Sequence, residues 1–140
     1  MFDARKECLL IDHLGLGVPD LGAAKEYYDK MMPLLGYEPY FAKERQFSYQ
    51  RAQGKSGTYL FFYEADEAGD FSHKRTGLQH IAFKLRSCGE VDAAHQLATE
   101  LGSKTVRPPS VYSQYHAHYY AAFWLDPHGF LLEAVCHRTE

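Results

Sequence analysis

The chain contains the same arrangement of residues twice, and this internal repeat constrains the fold more than any other feature. The segment from His13 to Gly36 begins with a short apolar run and ends in Leu-Gly, and so does the segment from His80 to Gly102. The two histidines precede their glycines by 23 and 22 positions. Self-similarity between the two halves of a chain indicates two copies of one supersecondary unit.

Hydrophobic spacing predicts the elements of each copy. Around each histidine, large apolar side chains alternate with small or polar ones, which indicates a strand with one buried face and the histidine near its centre. A helical pattern follows, with Asp20 as the cap of the first helix and Ser87, in capping-box form with Glu90, as the cap of the second. Three strand-like runs then follow each helix: 37–42, 45–52 and 58–65 in the first copy, and 104–107, 119–125 and 130–137 in the second.

This order of elements predicts an α+β fold. We expect one domain over residues 1–140, with two β-α-β-β-β repeats at 9–65 and 78–137 and a linker at 66–77. Each helix would cover one face of a small mixed sheet. The uncovered faces would then curl into a cup that has the helices on its outer face, and a cup of this kind is a common place for a small-molecule site.

Charge, hydropathy and cysteine content exclude several classes of partner. The net charge is −3 and the lysines and arginines are scattered, so a nucleic-acid partner is not expected. The first ten residues lack the apolar stretch of a signal peptide, and no run is apolar enough to span a membrane. Three widely spaced cysteines, Cys8, Cys88 and Cys136, indicate reduced thiols in a cytoplasmic protein.

Glu133 is a carboxylate in the middle of the apolar stretch L-L-E-A-V. An unpaired buried carboxylate costs several kcal/mol or takes up a proton, so a positive partner is expected if Glu133 is buried. His13 and His80 occupy equivalent positions in the two repeats, and pseudo-twofold pairing would bring them together across the cup. Two imidazoles and one carboxylate suit a divalent first-row metal ion. The small residues Gly15 and Ala82 would leave room above such an ion.

The segment S-Q-Y-H-A-H-Y-Y, residues 113–120, lies in a loop that Pro108 is expected to open. Histidine and tyrosine at the rim of a cup are candidates for a general base and for substrate contacts, and the alternative is an aromatic plug or a dimer contact. We take His116 and His118 as candidate catalytic residues. Strand parity predicts substrate contacts from Phe61, Tyr63, Tyr119 and Phe123. Of the remaining histidines, we expect three at the surface, His73, His128 and His137, and His95 at the edge of its helix.

Three motifs carry a resemblance to a known family: I-D-H-L-G-L-G-V-P-D-L, L-Q-H-I-A-F and D-P-H-G-F-L-L-E-A-V. Over residues 9–137 the sequence resembles the vicinal oxygen chelate superfamily, and within it the proteins of glyoxalase, bleomycin-resistance and dioxygenase type. The resemblance implies that His13, His80 and Glu133 are ligands of a divalent ion, which would be Zn, Ni, Mn or Fe(II). It also implies a cup that is often completed by dimerisation, so a homodimer is expected.

The same resemblance suggests a function, with two alternatives. We expect a metal-dependent lyase or isomerase of glyoxalase type that acts on a small substrate with vicinal oxygens. The alternatives are an Fe(II)-dependent extradiol dioxygenase of catechol-like substrates and a non-catalytic protein that binds a drug or metabolite. Two positions depart from family patterns. Phe61 stands where glyoxalase I has a fourth ligand, and Phe123 stands where extradiol dioxygenases usually have a tyrosine.

Overall fold

The computed structural model describes residues 11–137, in which the predicted order of elements is found twice. The first repeat consists of β1 (His13–Val18), α1 (Leu21–Met31), β2 (Tyr37–Lys43), β3 (Gln46–Arg51) and β4 (Tyr59–Glu64), with short 3-10 turns at Met32–Leu35 and Ala52–Gly54. The second consists of β5 (Ile81–Lys84), α2 (Cys88–Glu100), β6 (Thr105–Val111), β7 (Tyr120–Leu125) and β8 (Leu131–Cys136). Cys8 lies outside the described residues.

Each repeat forms its own four-stranded mixed sheet. The strand order is β1-β4-β3-β2 in the first sheet and β5-β8-β7-β6 in the second, so the two sheets have the same topology. In each, the first and last strands of the repeat are parallel neighbours and the other pairs are antiparallel. The predicted α+β class with two β-α-β-β-β repeats is confirmed.

The helices begin where the sequence predicts. The side chains of Asp20 and Ser87 each accept a hydrogen bond from a backbone N–H in the first turn, at 3.0 and 3.1 Å. These bonds satisfy donors that have no partner inside the helix. Gly36 and Gly102 take φ angles of 87° and 89°, a left-handed conformation that costs glycine little and ends each helical segment.

The two repeats share one hydrophobic core. Tyr27, on α1, links the repeats, because its hydroxyl accepts a hydrogen bond from Trp124 Nε1 at 3.0 Å and lies 2.7 Å from Ser103 Oγ. The neighbouring Tyr28 donates to Asp126 Oδ2 at 2.6 Å. Burial raises the pKa of the Asp126 carboxyl. The first helix is therefore fixed to the second repeat by polar contacts within an apolar core.

The edge strand β6 differs from the prediction. We expected a loop from Pro108, but the strand continues to Val111 and includes both prolines. Prolines are tolerated there because β6 is at the edge of its sheet, where not every N–H needs a partner. The pairing register with β7 shifts on both sides of Arg107, which strand parity could not anticipate.

The positions of the two histidines within their strands also differ from the prediction. His13 is the first residue of β1, and His80 lies just before β5, whereas we expected both near the strand centre. Ile81, the first residue of β5, pairs with Leu132, and Gly77, with a φ of 130°, turns the chain shortly before His80.

Candidate metal centre and its cavity

Glu133 is buried in the middle of β8, with 1% of its surface exposed. Its face of the strand is shared with Leu131 and Val135, opposite the face that packs into the shared core. The Tyr119 hydroxyl donates a hydrogen bond to Glu133 Oε2, and His80 Nε2 lies 3.2 Å from Oε1. Burial, and next this hydrogen bond, raise the pKa of Tyr119, so its phenol remains a donor. The buried carboxylate therefore has the partners that it requires.

His80 reaches Glu133 because of strand pairing. The register of β5 and β8 places Ala82 beside Glu133, which brings the start of β5 over the carboxylate. The other ring nitrogen, Nδ1, is hydrogen-bonded to the side-chain oxygen of Gln79. The imidazole is thus held from both ends while 38% of the side chain stays exposed.

His13 is held in the same way in the first repeat. Its Nδ1 lies 2.6 Å from Asp12 Oδ1, and its ring packs against Phe61 with 5.2 Å between the centroids. In both repeats the residue before the histidine therefore occupies Nδ1 and leaves Nε2 for another partner. Metal-binding histidines usually donate their second ring N–H to an oxygen in this manner. Two imidazoles so oriented and one buried carboxylate fit a divalent first-row ion.

Sequence reasoning missed the roles of Asp12 and Gln79. The available signal was a polar, oxygen-bearing side chain immediately before the histidine in both repeats, in I-D-H and in L-Q-H.

The three predicted ligands are not assembled within one chain. His13 is on the first sheet, beside Tyr59 of β4, whereas His80 and Glu133 are on the second sheet. Among residues 11–137, no three His, Cys, Asp or Glu side chains are close enough to hold one ion. A single chain therefore brings two of the predicted ligands together and presents the third elsewhere.

A cavity of about 330 Å³ opens at the His80–Glu133 pair, and we call it the second-sheet cavity. Its volume is near the lower end of the ~300–1,000 Å³ range of small-molecule pockets. Two predicted substrate-contact residues, Tyr119 and Phe123, line it. The other two, Phe61 and Tyr63, lie on the first sheet, where their rings stack 6.3 Å apart, and do not line this cavity.

The candidate catalytic residues His116 and His118 are exposed and do not line the second-sheet cavity. His116 Nε2 lies 2.8 Å from His137 Nδ1, and the His118 backbone N–H donates to His116 Nδ1 at 3.1 Å. The His116 ring contacts the Tyr119 ring, with 5.3 Å between the centroids, and this is its link to the site among residues 11–137. Their catalytic role stays a prediction, and Tyr119 carries the hydroxyl that contacts Glu133.

Two histidines expected at the surface are partly buried. His73 lines the second-sheet cavity, and its Nδ1 is buried without a hydrogen-bond partner among the described residues. His128 Nε2 is in the same situation near Phe71 and Phe130. The burial of both histidines depends on the path of the linker over the sheets, and local sequence does not specify that path.

Two equivalent repeats, each presenting a histidine on an open sheet face, define a class of two-repeat proteins with a candidate metal site. The model of the Glyoxalase/Bleomycin resistance protein/Dioxygenase superfamily matches residues 10–134. The chain belongs to this superfamily, which includes many enzymes and commonly uses divalent metals. A comparison with curated proteins gave no match. Within residues 11–137, no helix is long and apolar enough to cross a bilayer.

Solved structures show the same fold. A protein from Bacillus halodurans, described as a candidate glyoxalase, is 29% identical with a TM-score of 0.76, over 91% of this chain and 96% of that one. A glyoxalase/bleomycin resistance protein from Albidiferax ferrireducens is 23% identical with a TM-score of 0.74, over 90% and 98%. A fosfomycin resistance protein from Listeria monocytogenes is 20% identical with a TM-score of 0.66, over 90% and 91%.

Proposed function

We propose that the protein is a divalent-metal-dependent lyase or isomerase that acts on a small substrate with vicinal oxygens. The observation that carries the proposal is the His80–Glu133 pair, with His80 Nε2 3.2 Å from Glu133 Oε1 at a cavity of small-molecule size. A buried carboxylate beside a partly exposed imidazole is typical of a site that binds a cation. Superfamily membership supports the same conclusion.

His80 and Glu133 of one chain and His13 of a second copy would hold the ion. The donor set is compatible with Zn, Ni, Mn or Fe(II). When bound, the ion supplies Lewis acidity to two neighbouring substrate oxygens. The chain's own residues orient the donors: Gln79 and Asp12 fix the two imidazoles, and the Tyr119 hydroxyl fixes Glu133.

The exposed face of the first sheet supports a homodimer. That face carries a row of aromatic rings in contact with one another, and Tyr40 and Tyr63 are 49% and 39% exposed. Exposed apolar patches of this kind mark interaction surfaces. A second copy whose first sheet covers the second-sheet cavity would bring His13 to the His80–Glu133 pair, close the cup and exclude water.

The residues that line the cavity provide both apolar and polar contacts. Phe123 and Leu131 provide the apolar walls. Burial, and next the hydrogen bond to Glu133, raise the pKa of Tyr119, so its phenol serves as a hydrogen-bond donor to the carboxylate. The candidates for a general base are still His116 and His118, which the approach of a partner could reposition.

An extradiol dioxygenase is the second candidate, and Tyr119 favours it. The position expected to carry a tyrosine is Phe123, but the Tyr119 hydroxyl reaches the Glu133 carboxylate from a different position. The aromatic lining of the cavity also suits a catechol-like ring. Purified protein that contains iron and consumes oxygen with catechols would favour this reading. Protein that holds no metal in stoichiometric amount would favour a non-catalytic binder.

The decisive experiment combines elemental analysis with mixed dimers. His80→Ala and His13→Ala homodimers should both lose the metal that the unsubstituted protein holds. Co-expressed His13→Ala and His80→Ala chains should form mixed dimers with one intact site, because one chain supplies His13 and the other supplies His80 and Glu133. One metal ion per mixed dimer supports a shared site. An absence of metal in the mixed dimer, with one ion per chain in the unsubstituted protein, would require all three ligands to come from one chain.

A further inference from the structure

Arg107 lines the second-sheet cavity, together with the His80–Glu133 pair, and sequence reasoning did not single it out. It lies on the edge strand β6, opposite Phe123 of β7, between two shifts in the pairing register. Bulges of this kind redirect a side chain relative to the regular alternation of a strand. The local distortion of β6 therefore accompanies the placement of a guanidinium at the cavity.

The guanidinium is oriented by aromatic contacts. Its central carbon lies 5.5 Å from the ring centroid of Phe123 and 5.7 Å from that of Tyr112, within the range of cation–π contacts. Its Nη1 donates to the Tyr115 hydroxyl at 3.1 Å. Among residues 11–137 the guanidinium makes no other hydrogen bond, so its remaining N–H groups are available to a ligand.

Within the described part of the chain, no acid neutralises Arg107. Among residues 11–137, no carboxylate oxygen lies within 4.0 Å of its guanidinium, whereas Arg45 and Arg86 both form ion pairs. The carboxylate that shares its cavity, Glu133, is already bound by Tyr119 and His80. An unpaired arginine in a pocket is suited to a planar or tetrahedral oxyanion, which it binds through two N–H groups.

We propose that Arg107 binds an anionic group of the substrate, so that the substrate class is a small carboxylate or phosphonate with an apolar portion and, separately, two neighbouring oxygens. The anion would lie at Arg107, the apolar portion against Phe123, and the two oxygens at the His80–Glu133 end. The location of the oxygens rests on the proposed function. Anion binding at Arg107 does not, because it requires no metal.

The test measures binding of three probes to metal-free full-length protein by calorimetry or by NMR titration. Phenylacetate and phenylphosphonate carry the two kinds of oxyanion, and phenylacetamide is a neutral analogue of the first. We expect the anions to bind more tightly than the amide by about tenfold, which corresponds to ~1.4 kcal/mol. The tighter of the two anions identifies the oxyanion preferred. Added salt should weaken the binding of the two anions and leave the binding of the amide unchanged.

Substitutions assign the effect to one residue. Arg107→Gln should remove the preference for the anions, and Arg107→Lys should keep part of it, because lysine retains the charge without the two-pronged geometry. Arg86→Gln, which removes an exposed arginine that pairs with Glu90, is the matched control and should bind as the unsubstituted protein does. Equal binding of anions and amide, undetectable binding of the anions, or full anion binding by Arg107→Gln would each overturn the proposal. Unsubstituted protein that binds the anions but holds no metal in the elemental analysis would instead contradict the proposed function alone.

Discussion

His80 Nε2 lies 3.2 Å from Glu133 Oε1, and this contact joins the first and last strands of the second repeat. It exists because β5 and β8 are parallel neighbours with Ala82 beside Glu133. The topology that the internal repeat predicts therefore brings an imidazole to a buried carboxylate without any long loop. The same topology in the first repeat puts His13 beside Tyr59, and Phe61, which pairs with Gly15, occupies the position that corresponds to Glu133.

Substitution of Glu133 by glutamine should separate the free-energy cost of burying a charge from the contribution of that charge to metal binding. Without metal, the free energy of unfolding of Glu133→Gln should lie within about 1 kcal/mol of that of the unsubstituted protein. The amide keeps an acceptor for Tyr119, and no charge is buried. With metal, the unsubstituted protein should gain about 2.7 kcal/mol at a hundredfold excess over its dissociation constant, and the variant should gain none. Thermal unfolding with chelator and with added Zn measures both quantities. The exposed Glu44→Gln serves as the control, and a variant at position 133 with undiminished gain would contradict the assignment of Glu133.

Asp12 and Gln79 are expected to tune metal affinity without being ligands. Alanine at either position should weaken metal binding by about 10–100-fold, because the imidazole loses the oxygen that fixes its orientation. Competition with a chromogenic chelator measures the affinity. His137→Ala is the control, since His137 contacts His116 and not the metal pair, and its affinity should not change. Loss of metal in the His137 variant would mean that the wrong imidazole had been assigned.

Local sequence information was sufficient for part of this site and insufficient for the rest. The repeat and the alternation of strands predicted that His80 and Glu133 come from neighbouring strands, because that pairing is dictated by the fold class, although His80 lies just before β5 and not at its centre. Arg107 could not be predicted, because two register shifts in β6 override the parity of the strand. His73 could not be predicted either, because its position depends on how the linker crosses the second sheet. His13 lies on the first sheet, apart from the pair on the second, and its place relative to the pair would depend on assembly if the proposed homodimer forms.

Tyr119→Phe should reveal what the phenol contributes to the carboxylate. The substitution keeps the ring contacts with Tyr115 and His116 and removes the hydrogen bond to Glu133 Oε2. A hydrogen bond to a charged group contributes about 1.5–3 kcal/mol, so the metal-free variant should lose that much stability in urea unfolding. Tyr63→Phe, at an exposed position on the first sheet, should change stability by less than about 0.5 kcal/mol. Equal effects of the two substitutions would show that the bond to Glu133 contributes nothing in solution.

Tyr27→Phe should change both the stability and its dependence on alkaline pH. Tyr27 is 5% exposed, and burial raises the pKa of its phenol to about 12, against an ordinary value of 10.0. A raised pKa means that the folded state favours the neutral phenol. The resulting contribution of roughly 3 kcal/mol is complete below pH ~10 and is lost as the pH rises toward 12. The phenylalanine variant lacks this titration, so its stability should fall less steeply above pH ~10.

At neutral pH the same variant should be less stable by about 1–3 kcal/mol, because Trp124 Nε1 loses its acceptor in the shared core. The difference between variant and unsubstituted protein should therefore be largest near pH ~8 and narrow by pH ~11, as measured by urea unfolding at both values. Tyr40→Phe, at a half-exposed position, controls for the loss of a phenol as such and should track the unsubstituted protein throughout. If the difference in free energy of unfolding between Tyr27→Phe and the unsubstituted protein stays constant with pH, the pKa of the Tyr27 phenol is not raised in the folded protein. The link between α1 and β7 would then act only through the hydrogen bonds of Tyr27.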